Sequence, residues 1–349
     1  MSLLSGLSVW QQVCIVVASA LLVSFAATPL VKRFAVHVNA IDDPEDPRRI
    51  HKEPIPRLGG LAIFVGFIIA VVLFADIDRQ LRGIIFGAVI IIAIGVIDDI
   101  FQIRAVVKLV FQILAALVAV YHGVLVGIFA NPIVFSETQF VDLGYLAIPI
   151  TVIWIVAITN SVNFIDGLDG LAVGVSAISS VVMLVIALIV AELNVAIVLA
   201  ALAGSCIGFL PHNFNPAKIF MGDTGALLLG YVLATVSIIG LFKFYAVVSL
   251  AVPLLVLAIP LFDTSFAFFR RLLKGQNPMK ADRGHLHHRL LDMGMSQKQA
   301  VVFMYAVSGL LGLIAVVITA LHENRALILI LPLLVVAAIV FLVVKRRTK

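Results

Sequence analysis

Stretches of about 20 apolar residues follow one another with almost no pause from Val9 to Val344. This limits the fold more than any other feature. A segment that long, set in hydrocarbon, must satisfy every backbone N–H and C=O within itself, which leaves helices that span the bilayer. Composition agrees: 62% of the 349 residues are hydrophobic and 12% are charged, where a soluble domain carries about a quarter charged residues. There is no linker, low-complexity tract or internal repeat, so the chain is expected to be a single integral membrane domain over residues 1–349.

Apolar runs between polar breaks predict an all-α polytopic membrane protein of about 11 transmembrane helices. Their approximate spans are 9–31, 58–75, 81–97, 105–128, 145–162, 171–191, 194–210, 225–242, 245–268, 300–321 and 326–344. The first run has no preceding positive charge and is too long for a signal-peptide core, so it is expected to stay as a helix. Cys14 and Cys206 lie inside apolar runs and are expected to pack as small hydrophobes.

The connecting segments differ sharply in charge. One alternate set (about 32–57, 98–108, 163–170, 211–224, 269–299 and the tail) holds all but four of the 24 Lys and Arg residues; the exceptions are Arg79, Arg82, Lys243 and Arg325. The positive-inside rule then puts that set in the cytoplasm, with the N-terminus outside and the C-terminus cytoplasmic. An odd number of crossings is required. Most of the +5 net charge is thus accounted for by orientation, and no nucleic-acid partner is implied.

The same loops hold the unusual chemistry. Asp98-Asp99 ends the third run; adjacent carboxylates at a membrane boundary are costly unless something offsets them. They form a site for a divalent cation or for proton abstraction from a phosphate, or else a pair of solvated interfacial acids or a helix-end contact with Arg104 or Lys108. Asn163, Asp166 and Asp169 recur at every third residue, a spacing that a helical or 3₁₀ turn would gather on one side as a site; the alternative is a polar turn with caps for the sixth helix. Asp223, in Phe220-Met221-Gly222-Asp223-Thr224-Gly225, either caps the eighth helix or binds Mg²⁺, which takes one or two carboxylates plus phosphate oxygens. Phe220 is either core packing or a stacking platform for a base.

Arg283-Gly284-His285-Leu286-His287-His288-Arg289 forms a cationic cluster that suits phosphate better than zinc, since no cysteine accompanies it. In Lys52 to Gly60, Lys52 and Arg57 are candidates to reach a diphosphate, and the prolines and glycines of Pro54 to Gly60 set a rigid turn. Asp263 is expected to pair with a nearby Arg. A transporter would place its charges at mid-bilayer on broken helices; a CDP-alcohol phosphatidyltransferase would carry two acids four residues apart. Neither pattern is present.

Pro56 to Gly60, Asp98-Asp99, Asn163 to Gly170, Phe220 to Gly225 and His285 to His288 together resemble the polyprenyl-phosphate N-acetylhexosamine-1-phosphate transferases, glycosyltransferase family 4. His-Leu-His-His at 285–288 and Pro260 to Thr264 look like the N-acetylglucosamine branch. The alternative is the phospho-N-acetylmuramoyl-pentapeptide transferases, which carry three consecutive histidines there.

The resemblance implies a cell-membrane enzyme with its site facing the cytoplasm. It would move N-acetylglucosamine-1-phosphate from UDP-N-acetylglucosamine to undecaprenyl phosphate with Mg²⁺ or Mn²⁺, release UMP, and be active as a possible homodimer. It implies metal binding by Asp223 and Asp98, and catalysis by Asp98, Asp99 and Asp166. Phe220 would meet uracil, with Asn163 and Asp169 at the nucleotide. His285, His287 and His288 would hold the diphosphate, with Lys52, Arg57 and Lys108 as further substrate-binding cations.

Overall fold

The computed structural model describes residues 6–42, 54–126, 128–130, 140–240, 254–262 and 286–321. Helix α1 (Val9–His37) opens with a capping box: the Gln11 N–H donates to the Ser8 hydroxyl at 3.4 Å, and the Ser8 N–H donates to the Gln11 side chain at 2.9 Å. There follow α2 (Gly60–Phe74), α3 (Arg79–Phe101), α4 (Ala105–Tyr121), α5 (Ala147–Ile165), α6 (Leu171–Ile189), α7 (Leu193–Asn213), α8 (Gly222–Gly240), the short α9 (Leu286–Asp292) and α10 (Gln297–Leu321).

Among the described residues, seven helices are long and apolar enough to cross a bilayer, and α2 and α4 are apolar but shorter. The chain is a multi-pass membrane protein. The predicted span 245–268 lies mostly outside the described residues, with 254–262 largely helical, and 326–344 lies wholly outside them.

Two expectations are corrected. Lys32 and Arg33 sit on the last turns of α1, not in a loop, because the helix continues past its apolar stretch to His37. Cations there also complement the negative end of the helix dipole. The chain is not purely helical either. β1 (Ile41–Asp42) pairs antiparallel with β2 (Ile55–Pro56), and β3 (Ile128–Ala130) with β4 (Phe140–Asp142).

The bundle is organised around α8, whose residues from Thr224 to Gly240 are all buried. Helices α2, α3, α5 and α6 pack against it, and α7 is enclosed by α1, α2 and α6. Cys206 is buried on α7 and Cys14 is exposed on α1; both are free thiols. The outer helices turn large apolar side chains outward, among them Leu22 and Leu30 on α1, Val110 on α4 and Leu313 on α10. In a soluble protein such faces would be a liability; in lipid they are the expected solvent-facing surface.

Candidate active site

Five of the residues singled out by the sequence, Asp98, Asp99, Lys108, Asn163 and Asp223, meet at one end of the bundle, around the first turn of α8. That turn begins at Gly222, whose φ of +70° falls in the left-handed region. A Cβ at this position would stand 2.3 Å from Asp99 Oδ2. The Asp99 carboxylate lies against the helix start and is 5% exposed. Its Oδ1 accepts the Asp223 N–H at 2.9 Å, and its Oδ2 accepts the Thr224 N–H at 3.0 Å and the Thr224 hydroxyl at 2.6 Å.

The segment Pro56 to Gly60 runs alongside. The Phe220 N–H donates to the Pro56 carbonyl (2.8 Å), and the N–H groups of Gly59 and Gly60 donate to the Phe220 and Met221 carbonyls (both 2.9 Å). These glycines are there for clearance. A Cβ on Gly60 would sit 2.1 Å from the Gly225 nitrogen, and one on Gly95 of α3 would sit 2.5 Å from Thr224 Cα. The starts of α2 and α8 and the end of α3 therefore approach to backbone contact.

Charge concentrates in the space this creates. Lys108 on α4 donates to Asp223 Oδ2 at 2.7 Å and to Asp98 Oδ2 at 3.1 Å, so one ammonium bridges carboxylates from two other helices. Asp98 Oδ1 accepts the Ile103 N–H at 3.0 Å, and the Asn163 amide donates to Asp223 Oδ1 at 3.1 Å. Of the two readings of the acid pair, contact with Lys108 is observed for Asp98.

Asp166 caps the C-terminus of α5 beside this group. Burial, then the negative charges of Asp223 and Asp99, push its carboxyl up to about 8, with the Arg57 charge pulling the other way. One turn deeper, Gln112 and Asn160 exchange side-chain hydrogen bonds of 2.6 and 3.3 Å, which extends the polar seam between α4 and α5. Neither residue was anticipated. The signal was available, since Gln112 is four residues after Lys108 and Asn160 three before Asn163, on the same helix faces.

Other candidates stand elsewhere. The expectation that Asn163, Asp166 and Asp169 share one side is corrected: α5 ends at Ile165, and the chain turns through Gly170 at φ +80°. Asp169 is 4% exposed; its Oδ2 accepts from the Asn215 amide at 3.1 Å and the Ala217 N–H at 3.0 Å, which anchors the turn after α7. Asn213 closes the same turn through Gly170 and Ile219. Arg57 pairs with Asp42 at 3.0 Å across the β1–β2 ladder. Phe220 is half-buried and contributes its backbone to the Pro56–Gly60 ladder. His287 and His288 fall on α9, their side chains outside the described residues, and Lys52, Asp263 and His285 lie outside them altogether. Among the described residues no group of three or more His, Cys, Asp or Glu could hold a metal, so no closed protein cage of that kind is described.

Helices that bury one polar end, with carboxylates from α3 and α8 sharing a cation from α4, define a membrane-embedded protein built to handle charge at the mouth of its bundle. Comparison with known proteins narrows this. Residues 81–241 match Glycosyl transferase family 4. The chain is 39% identical over 322 residues to a probable undecaprenyl-phosphate N-acetylglucosaminyl 1-phosphate transferase of Bacillus subtilis, covering 92% of this chain and 88% of that protein. It is 35% identical to a decaprenyl-phosphate N-acetylglucosaminephosphotransferase of Mycolicibacterium smegmatis (86% and 80% covered). A third relative, an undecaprenyl-phosphate alpha-N-acetylglucosaminyl 1-phosphate transferase of Thermotoga maritima, is 31% identical (82% and 91% covered). The chain belongs to glycosyl transferase family 4.

Proposed function

We propose that this protein transfers N-acetylglucosamine-1-phosphate from UDP-N-acetylglucosamine to undecaprenyl phosphate. A lipid-phosphate oxygen bonds to the β-phosphorus of the donor, the bond from that phosphorus to the bridging oxygen breaks, and UMP leaves with the electron pair. The names of the relatives favour this sugar over a muramoyl-pentapeptide. The product starts a cell-envelope polysaccharide.

The observation that supports the chemistry is a charge deficit. Asp98, Asp99 and Asp223 face one ammonium, Lys108, and the half-charge at the start of α8. Among the described residues in direct contact with these acids, that leaves between one and two negative charges unmatched, a setting a small divalent cation fits. Asp223 and Asp98 would hold Mg²⁺, with Asn163 beside them, leaving further positions for phosphate oxygens. When bound, the ion would neutralise charge on the diphosphate.

The remaining roles follow from position and residue type. Asp98 orients or deprotonates the lipid phosphate. Asp166, with its carboxyl near the working pH, exchanges a proton at the same mouth. Lys52, Arg57 and Lys108, with His285, His287 and His288, meet the anionic groups; Phe220 meets the uracil ring and Asp169 supports the nucleotide side. Positioning and charge neutralisation are what phosphoryl transfer chiefly needs. The apolar runs support eleven crossings, and the basic-residue asymmetry supports an outer N-terminus, a cytoplasmic C-terminus and a site open to the cytoplasm.

The test is UMP release by the purified protein given undecaprenyl phosphate, Mg²⁺ and a panel of UDP-N-acetylhexosamines. Release with UDP-N-acetylglucosamine is expected. No UMP from any donor would refute the proposal.

A further inference from the structure

Two adjacent acids on a helix leave its axis about 100° apart, so Asp98 and Asp99 are not built to face one reacting group. The contacts bear this out. Asp98 looks toward α4, where it meets Lys108 at 3.1 Å. Asp99 looks toward α8, and both of its oxygens are occupied there by the Asp223 N–H, the Thr224 N–H and the Thr224 hydroxyl. It is almost fully enclosed, and the Cβ-free Gly222 is what lets it come so close.

The first N–H groups of a helix lack intrahelical partners, and a side-chain oxygen that accepts from them sets where the helix starts. That oxygen ordinarily comes from the residue just before the helix. Here the preceding segment is tied to Pro56–Gly60 instead, and the acceptor comes from another helix. We propose that Asp99 is a positioning residue: by capping α8 from α3 it fixes the first turn of α8, and with it the direction in which the Asp223 carboxylate points. It does not exchange protons with substrate. This rests on the reading of Asp223 as a metal ligand, but the cap itself does not.

The experiment uses the full-length protein in detergent. Amide hydrogen exchange over residues 219–228, read without substrate, compares wild type with Asp99→Asn, Asp98→Asn and Thr224→Val. Asp99→Asn is expected to speed exchange at Asp223 and Thr224 about ten-fold, and Thr224→Val, which removes one arm of the cap, by less. Asp98→Asn should leave that exchange unchanged.

With UMP release as readout, Asp99→Asn should raise the Mg²⁺ concentration for half-maximal rate about ten-fold. The acid limb of its pH–rate profile should stay in place. Asp98→Asn should instead leave the rate about a thousand-fold down even at saturating Mg²⁺. The proposal is overturned if Asp99→Asn leaves exchange protection intact, or if it removes the acid limb while the Mg²⁺ requirement stays put. Should Asp99→Asn fail to fold, Thr224→Val decides: unaltered exchange together with an unaltered Mg²⁺ requirement overturns it. If wild type releases no UMP, the enzyme reading fails while the exchange comparison still tests the cap.

Discussion

Lys108→Met removes the ammonium that bridges Asp98 and Asp223 while keeping a stem of similar length in place. The ammonium stands 2.7 and 3.1 Å from the two carboxylates, and the three side chains are 22%, 12% and 25% exposed. Removing one partner from a buried ion pair costs about 3–5 kcal/mol, because the other charge is left uncompensated. The partial exposure here lets water and salt screen the carboxylates, so about 1–3 kcal/mol is the working figure. Thermal unfolding in detergent with EDTA should show the variant melting several degrees below wild type. Added Mg²⁺ should then raise its melting temperature by more than it raises that of wild type, since the ion meets two carboxylates with no competing ammonium. UMP release should be lost in the same variant. Equal melting in EDTA would refute the idea that Lys108 is the resident counter-ion, and an equal Mg²⁺ gain would refute the idea that ammonium and metal share one place.

Gly60→Ala should destabilise the protein and abolish UMP release, because its Cβ would meet the Gly225 backbone at 2.1 Å; Gly309→Ala, with nothing within 4 Å, should melt like wild type. Asp166→Asn should show a pH-dependent stability gain. The carboxyl is raised to about 8 in the folded state from 3.8, so the folded protein holds its proton more tightly than the unfolded chain does, and wild type loses stability as pH rises from about 4 to about 8. The gain of the variant should thus be absent near pH 4, grow through that window and level off above it; a pH-independent difference in melting would contradict the assignment. Asp42→Asn should loosen Arg57, 3.0 Å away, and raise the KM for the UDP-sugar several-fold with kcat little changed; an unaltered KM would argue against Arg57 as a substrate contact.

The helices were legible because their signal is thermodynamic and local: each apolar run must satisfy its own backbone, whatever surrounds it. Their ends were less so. The apolar residues of the third run stop at Ile97, yet α3 carries Asp98 and Asp99 and continues to Phe101, because backbone hydrogen bonding goes on past the point where the side chains stop being apolar. In the site, residue types were legible and assignments were not. Asn163 and Asp169 belong to one short motif, but one reaches Asp223 and the other holds the turn at Asn215 and Ala217. Their separation depends on where α5 unwinds and on a left-handed glycine. The Lys108 bridge joins residues 115 apart in sequence, and no spacing rule reaches that far.

The glycines settle why the costly charges are tolerable. A carboxylate near the hydrocarbon edge needs a compensating positive end close by, and the field of a helix N-terminus falls off within its first turn. Side chains between α3 and α8 would hold the acids beyond that distance. With hydrogen alone at Gly95 and Gly222, the end of one helix slides onto the start of the other, and the Asp99 oxygens reach the free N–H groups directly. The same clearance that buries Asp99 brings Asp98 and Asp223 within reach of one ammonium. Gly59-Gly60, Asp98-Asp99 and Gly222 to Gly225 are thus three parts of one contact. Widening that contact anywhere along its length should disable the site even where every charged residue is kept.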